Sequence, residues 1–222
     1  MKISLNWIKD FVDLDGISVK ELWNRYTMAT AEVDDIIEKG KDINNVVIAK
    51  VVKVEPHPSS EKLKVVHVDV GEEIVQSVCG APNIREDIFV PFAQIGGSIK
   101  NIPLVSKTVI NGVESDGVIC SPSELGISDN HDGVMVLPGE YVSGTDIKKI
   151  IDIDDIVVDI DNKSLTNRPD LWGHYGIARE LAAIFRRKLK PIEISQLDRY
   201  NNLRSIDINI ENIDKCFRYS GL

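Results

Sequence analysis

Three cysteines and four histidines are the first side chains to test for chemistry, and their spacing offers none. Cys79, Cys120 and Cys216 make no CxxC pair, and His57, His67, His131 and His174 fall into no zinc-binding rhythm. Scattered cysteines in odd number also exclude a disulfide framework and point to a reducing compartment. Asp152, Asp154, Asp155 and Asp159 lie close together but break the EF-hand spacing. The sequence holds neither a glycine-rich phosphate loop ending in Lys-Ser or Lys-Thr nor a G-x-S-x-G nucleophile elbow. No catalytic residue and no metal ligand is expected. What remains is cationic and polar. Lys62 and Lys64 flank a strand start, Asn83 and Arg85 follow Ala81-Pro82 in a loop, and Lys107 could extend the same face. Ammonium and guanidinium groups suit phosphate oxygens, and an amide suits a base edge or a phosphate. Local readings compete. Lysines at a strand edge deter edge-to-edge pairing, Asn83 can cap a turn, and His57 between two prolines fixes its loop.

The charge balance restrains any polyanion reading. The 222 residues carry 26 basic and 35 acidic side chains, net −9, where a nucleic-acid binder usually shows a basic footprint. Residues 40–151 are themselves acidic, net −5, and only residues 161–204 are basic, net +4. Hydrophobic residues at 43% and charged residues at 27% describe an ordinary globular chain. No run approaches the ~20 apolar residues of a membrane helix, and the start of the chain lacks a signal-peptide apolar region.

The elements that must position these side chains fall into three textures. Leu5, Ile8, Phe11 and Val12 recur at helical spacing after Ser4, a suitable N-cap. Asp15-Gly16 breaks that helix. Ser18 opens a second, with Glu21 completing a capping box and Val19, Leu22, Trp23 and Tyr26 on one side. Residues 31–38 read as extended. From about residue 40 short strands alternate with turn residues: 46–54, 64–70 with Val66, Val68 and Val70 on one face, 74–79, 88–91, 105–110, 118–120 and 133–136. Asn111-Gly112 and Gly96-Gly97 are turn signals. Evenly spaced short strands without helices predict a closed or nearly closed barrel, with the OB-fold among those of this size. Beyond about residue 145 comes a strand at 156–160. A helix start follows at Asn167-Arg168-Pro169-Asp170, capped by Asn167 or Asp170. The amphipathic stripe Ile177, Leu181, Ile184, Phe185 comes next. Arg186, Arg187, Lys188 and Lys190 end it; they complement the helix dipole, face RNA, or pack against further protein. Arg168 and Asp170 are expected to brace the helix start and Arg179 to pair locally. Neither α-containing end is large enough to fold alone, so the barrel is read as inserted into one split domain. Residues 205–211 alternate like a half-buried strand with no later partner, and the chain is read as part of a longer protein.

Two blocks carry a family resemblance. Pro56-His57-Pro58-Ser59-Ser60-Glu61-Lys62-Leu63, Val78-Cys79-Gly80-Ala81-Pro82-Asn83, Asn111 to Ser121 (N-G-V-E-S-D-G-V-I-C-S) and Glu124-Leu125-Gly126 together resemble the EMAP-type tRNA-binding OB domain. Asn162-Lys163-Ser164-Leu165-Thr166-Asn167-Arg168-Pro169-Asp170 with Gly176 to Leu181 is similar to the segment after that domain in bacterial phenylalanyl-tRNA synthetase β chains, as are Met1 to Trp7. Cys216 to Gly221 resembles the entry to their editing domain. The chain departs from the family at Val118, where Met is frequent, and at Phe217, where Pro is usual.

The resemblance implies an α+β fold: a discontinuous α/β domain, 1–39 plus 152–190, with a five-stranded OB-fold β-barrel inserted at 40–151, then a linker and the start of a truncated editing domain at 191–222. It implies an accessory, non-catalytic tRNA-binding module of an α2β2 ligase that attaches phenylalanine to tRNA, with ATP and magnesium used elsewhere in the full enzyme. It further implies contacts with the rest of the β chain and the α subunit, no membrane, and a cytoplasmic location. Its tRNA surface would comprise Lys62, Lys64, Asn83, Arg85, Lys107 and Ser115. The alternative from another class is a protein-interaction or scaffolding module that never meets RNA. The acidic barrel and its scarce free aromatics suit that alternative, since single-strand binders stack bases on exposed rings.

Overall fold

The computed structural model describes residues 1–193, 207–216 and 219. Met1–Lys190 form one compact unit and Pro191–Leu222 a second.

In the first unit, Ser4 accepts the Trp7 N–H and starts helix α1 (Leu5–Phe11). Ser18 accepts the Glu21 N–H and starts α2 (Val19–Ala29). Both caps satisfy amides that a helix start leaves without partners. Leu22, Trp23 and Tyr26 of α2 are buried, as the spacing requires. Strand β1 (Lys2–Ser4) and β2 (Val33–Lys39) lie on either side of β10 (Asp155–Ile160), all antiparallel. At the far end of this sheet Lys39 faces Asp155, so the chain leaves it and returns to it at one place. Lys148 clasps the same spot, its ammonium 2.9 Å from the Gly40 carbonyl and 2.7 Å from Asp154. The buried residues of this core come from 3–31 and 158–182, with Ile8, Tyr26, Val158, Leu171 and Leu181 fully enclosed.

Between β2 and β10 the chain builds β3 (Asn44–His57), β4 (Ser60–Asp69), β5 (Ile74–Cys79), β6 (Phe89–Ser98), β7 (Thr108–Ile110), β8 (Val113–Ser115) and β9 (Gly117–Ile119). Five of them form an antiparallel sheet in the order β5-β4-β3-β6-β9, and β7-β8 is a separate hairpin turned by Asn111-Gly112. No hydrogen-bonded ladder joins the edge strands β5 and β9. They meet instead through the Asp116 N–H on the Gln76 carbonyl at 2.9 Å and through two serine hydroxyls described below. Val66, Val68 and Val70 alternate into the core as their pattern demands. Phe92 is buried, while Phe89 is half-buried against Tyr141.

Four local expectations are corrected. Gly96-Gly97 lies within β6 rather than in a turn. Residues 133–136 form no strand; the clamp that holds them is described below. Neither Asn167 nor Asp170 caps a helix: Pro169–Leu171 make a 3-10 turn, and α3 (His174–Phe185) begins only after Gly173. The Asp170 carboxylate is spent elsewhere, accepting two bonds from Arg168 at 3.0 Å and one from Arg179 at 2.7 Å. Arg168 also reaches Glu180 at 3.0 Å, whose other oxygen takes the Thr30 hydroxyl at 2.8 Å. The N-R-P-D turn is thereby tied to α3 and to the end of α2, which is the bracing expected of Arg168 and Asp170. In the second unit, residues 207–211 carry no strand pairing. Ser205, Ile206, Phe217, Arg218, Ser220 and Gly221 lie outside the described residues.

His174 joins α3 to the start of α1. Its Nε2 accepts the Ser4 N–H at 3.0 Å, and its ring stacks on Trp7 with centroids 4.1 Å apart. Burial lowers its pKa from the ordinary 6.5, opposed by Asp155. The unfolded chain therefore takes up this proton first as the pH falls. Stability from His174 is full above 6.5 and is lost as the pH drops through the depressed folded value. Thermal melts from pH 7.5 to 5 are expected to show this decline, and His174→Gln, which retains an acceptor, is expected to flatten it. An unchanged slope in the variant would assign the decline to other groups.

Candidate nucleic-acid interface

Three of the segments that the sequence singled out, those holding residues 78–82, 115–121 and 124, meet around one open cavity of about 670 Å³. Its wall takes Gly80 and Pro82 from the loop after β5, Val118 from β9, Glu124 from the turn after it, and Gly133 from the loop that follows. Glu124 accepts the Ser121 N–H at 2.6 Å, and the Ser121 hydroxyl accepts the Glu124 N–H at 3.3 Å, a reciprocal pair that holds this turn. A second hollow, about 650 Å³, is lined by the β3–β4 hairpin from Val54 to Lys64.

His57 fixes that hairpin. Its Nδ1 accepts the Ser59 N–H at 3.1 Å, which leaves Nε2–H to donate to the Ile110 carbonyl at 3.1 Å. The Ser59 hydroxyl donates to the Asn111 carbonyl at 2.8 Å. The His-Pro-Ser loop is thus pinned to the β7–β8 turn, and an imidazole 5% exposed serves the pin. The loop-fixing role expected of His57 is the one it plays.

The six candidate contacts separate into three kinds. Lys62 and Arg85 are exposed and have no ion pair among the described residues. Lys64 is half-buried, with its ammonium 3.2 Å from the Ile84 carbonyl. That bond draws β4 beside the loop bearing Arg85, so Lys64 positions more than it offers. Asn83 engages both ends of its amide with Val134, donating to its carbonyl at 2.8 Å and accepting its N–H at 2.9 Å. It clamps two loops together, the turn-holding alternative. Lys107 is neutralised by Glu114 at 2.8 Å and Asp116 at 3.3 Å, which raise its pKa.

Ser115 overturns its expectation. It is 3% exposed, and its hydroxyl donates to the Gly117 carbonyl at 3.1 Å while accepting the Val78 N–H at 3.1 Å. Ser77 lies 3.3 Å away and shares the same carbonyl at 3.0 Å. The hydroxyls bridge β5 to β9 where no ladder does, and burial denies them to a partner. Ser77 carried no sequence signal, because its partner stands 38 residues along the chain. Cys79 and Cys120 are made inert by the same logic of enclosure. Burial pushes the thiols of Cys79 and Cys120 up, away from the reactive thiolate.

Comparison with known proteins adds three findings. Residues 46–146 match the family described as "Putative tRNA binding domain". The whole chain aligns with β subunits of phenylalanine–tRNA ligases: 39% identical over 225 residues with that of Fusobacterium nucleatum, covering 100% of this chain and 28% of that protein. With that of Syntrophus aciditrophicus it is 38% identical over 223 residues, covering 100% and 27%, and with that of Clostridium acetobutylicum 39% identical, covering 99% and 28%. The chain thus spans little more than a quarter of the length of the curated relatives it matches. A solved structure titled "Crystal structure of MetRS related protein from Pyrococcus horikoshii" superposes on 46% of this chain and 87% of its own, with a TM-score of 0.35 at 21% identity, a slight likeness.

Proposed function

We infer that this chain, a homologue of phenylalanine–tRNA ligase β subunits along its whole length and the bearer of a tRNA-binding domain at residues 46–146, works as an accessory tRNA-binding module. The match of residues 46–146 carries the reading. We read residues 40–151 as a five-stranded OB barrel. Its support is the strand order, together with the seam at which Asp116, Ser77 and Ser115 bring β5 to β9. We read 1–39 and 152–190 as one discontinuous domain, a reading supported by the shared sheet and core of those segments. On this reading residues 191–222 lead into a further, editing-type domain.

In the whole enzyme, the proposal is a cytoplasmic α2β2 ligase that joins phenylalanine to tRNA with ATP and magnesium. No step is assigned to either cofactor in this chain. Among the described residues no group of three or more His, Cys, Asp or Glu side chains comes together to hold an ion, and no helix is long and apolar enough to cross a membrane.

Contact is expected to be weak and salt-sensitive, because Lys62 and Arg85 act on a domain whose own charge opposes a polyanion. Titration of the chain with tRNA at low and physiological salt tests this. Lys62→Ala with Arg85→Ala is expected to reduce the slope of log affinity against log salt by about 1.5, at roughly 0.7–0.9 per phosphate lost. Absence of binding at low salt would sink the reading. The neutralised Lys107 and the enclosed Ser115 favour the second reading, a surface that docks protein and not RNA. Unaltered affinity and slope in the double variant would favour it too.

A further inference from the structure

The residue that ends α3 is unusual for its backbone. Arg186 adopts φ 53°, ψ 44°, and the Arg187 N–H closes the turn on the Ala182 carbonyl at 2.8 Å. Helices commonly stop in this left-handed turn, and the residue there is ordinarily glycine, since a Cβ strains the backbone. Arginine at this position lowers stability. A strained residue on an exposed turn directs attention to what its side chain does.

Its neighbours share one property. Arg25 lies 4.3 Å above the Phe185 ring centroid and donates to the Ile184 carbonyl at 3.0 Å. Arg187 donates to the Asp15 carbonyl at 3.0 Å, and the Lys190 ammonium rests 3.5 Å from the Lys9 carbonyl. Carbonyl partners orient a cation without cancelling its charge. Arg186 and Lys188 are exposed and have no ion pair among the described residues. Among the described residues the one carboxylate paired with the group is Glu21, 3.8 Å from Arg25, with both side chains half exposed, a pairing worth little. Elsewhere Lys107, Lys148, Arg168 and Arg179 all sit against carboxylates. On a chain of net charge −9, this helix end concentrates cations that the described residues leave uncompensated.

We propose that the C-terminal end of α3, formed by Arg186, Arg187, Lys188 and Lys190 with Arg25 beside them, is a surface for the phosphate backbone of RNA, separate from the tRNA-binding domain at 46–146. The planar fork of arginine matches phosphate oxygens in pairs, and three arginines meet here. The ligand rests on the tRNA reading above. The added claim is that part of the binding free energy arises outside the domain that carries the family match.

The test uses the 222-residue chain, labelled unfractionated tRNA, a salt series and poly-aspartate as competitor. Replacing Arg186, Arg187 and Lys188 with alanine is expected to weaken tRNA binding at least about tenfold at about 0.1 M salt, and to lower the salt slope by about 2 to 3. Arg186→Gly alone should move two readouts in opposite directions. The melting temperature rises by about 2–4 °C as the strain is relieved, while tRNA affinity falls severalfold. Unchanged affinity and slope in the triple variant would overturn the proposal. If Lys62→Ala with Arg85→Ala still weakens binding in that case, the tRNA reading stands without it. A chain that binds no tRNA at low salt ends both. Equal capture of poly-aspartate by the cluster would assign it to an acidic protein partner and overturn the RNA proposal.

Discussion

Replacing Gly117 with alanine is expected to destabilise the chain by about 3 kcal/mol or more, as the overpacking and backbone penalties add. A Cβ on Gly117 would stand 2.3 Å from Phe92 Cζ and 2.7 Å from the Ala93 carbonyl oxygen, and the backbone there has φ 155°. Phe92 is 1% exposed and cannot swing aside, while Ala93 is held by its pairing with Val118 across β6 and β9. The flexible-neighbour escape that makes some such substitutions cheap is therefore closed. The Gly117 carbonyl also takes both serine hydroxyls of the β5–β9 seam, so a shift of this residue strands buried donors, at about 1–3 kcal/mol for each one left unsatisfied. Urea unfolding checks the prediction through the midpoint at constant m. A loss below about 1 kcal/mol would mean that the seam yields.

Gly176→Ala is expected to cost about 3 kcal/mol, against the sign that helix propensity alone would give. Alanine in a helix interior is worth roughly 1 kcal/mol over glycine. Yet a Cβ on Gly176 would fall 2.0 Å from the Asp170 carbonyl oxygen and 2.9 Å from Leu171 Cα. Both are backbone atoms, and Leu171 is wholly buried. To admit the methyl, the 169–171 turn must lift off α3, which would part Arg168 from Glu180 and Arg179 from Asp170. Ala183→Gly, at an exposed position of the same helix, serves as the propensity control, with an expected loss near 1 kcal/mol. Stabilisation by Gly176→Ala would show that the turn is not seated on the helix.

What the sequence made legible was local. Ser4 and Ser18 announce their helices through one side chain and one amide three residues on, and the valines of β4 announce their buried face by alternation. Asp170 looked like a cap because its carboxylate has the right chemistry two residues after Arg168; its use by Arg179, nine residues on, could be read only from the folded turn. Gly96-Gly97 resembled a turn because glycine pairs usually make one, whereas here the pair lies inside a long strand. Residues 133–136 are apolar enough for a strand, yet the clamp from Asn83 serves both backbone groups of Val134. The candidate site divides in the same way. Lys62 and Arg85 remain available, while Ser115 and Lys107 are consumed by partners that only the closing of β5 on β9 and the neighbouring carboxylates could reveal.

The facing of Lys39 and Asp155 bears on the order in which the protein folds. Pairing β2 with β10 before anything else would close a loop of roughly 115 residues. By the logarithmic scaling of loop entropy, that costs about 3 kcal/mol more than closing a four-residue hairpin. Once β3 to β9 have condensed, with Lys148 holding Gly40 and Asp154 together, most of that entropy has already been lost, and β2 meets β10 as cheaply as the arms of a short turn. The outer sheet therefore depends on the intervening strands kinetically as well as by connection. A lesion at Gly117, in a different sheet from β10, should slow the appearance of the core around Trp23 and Tyr26, so that one half of the chain reports on the assembly of the other.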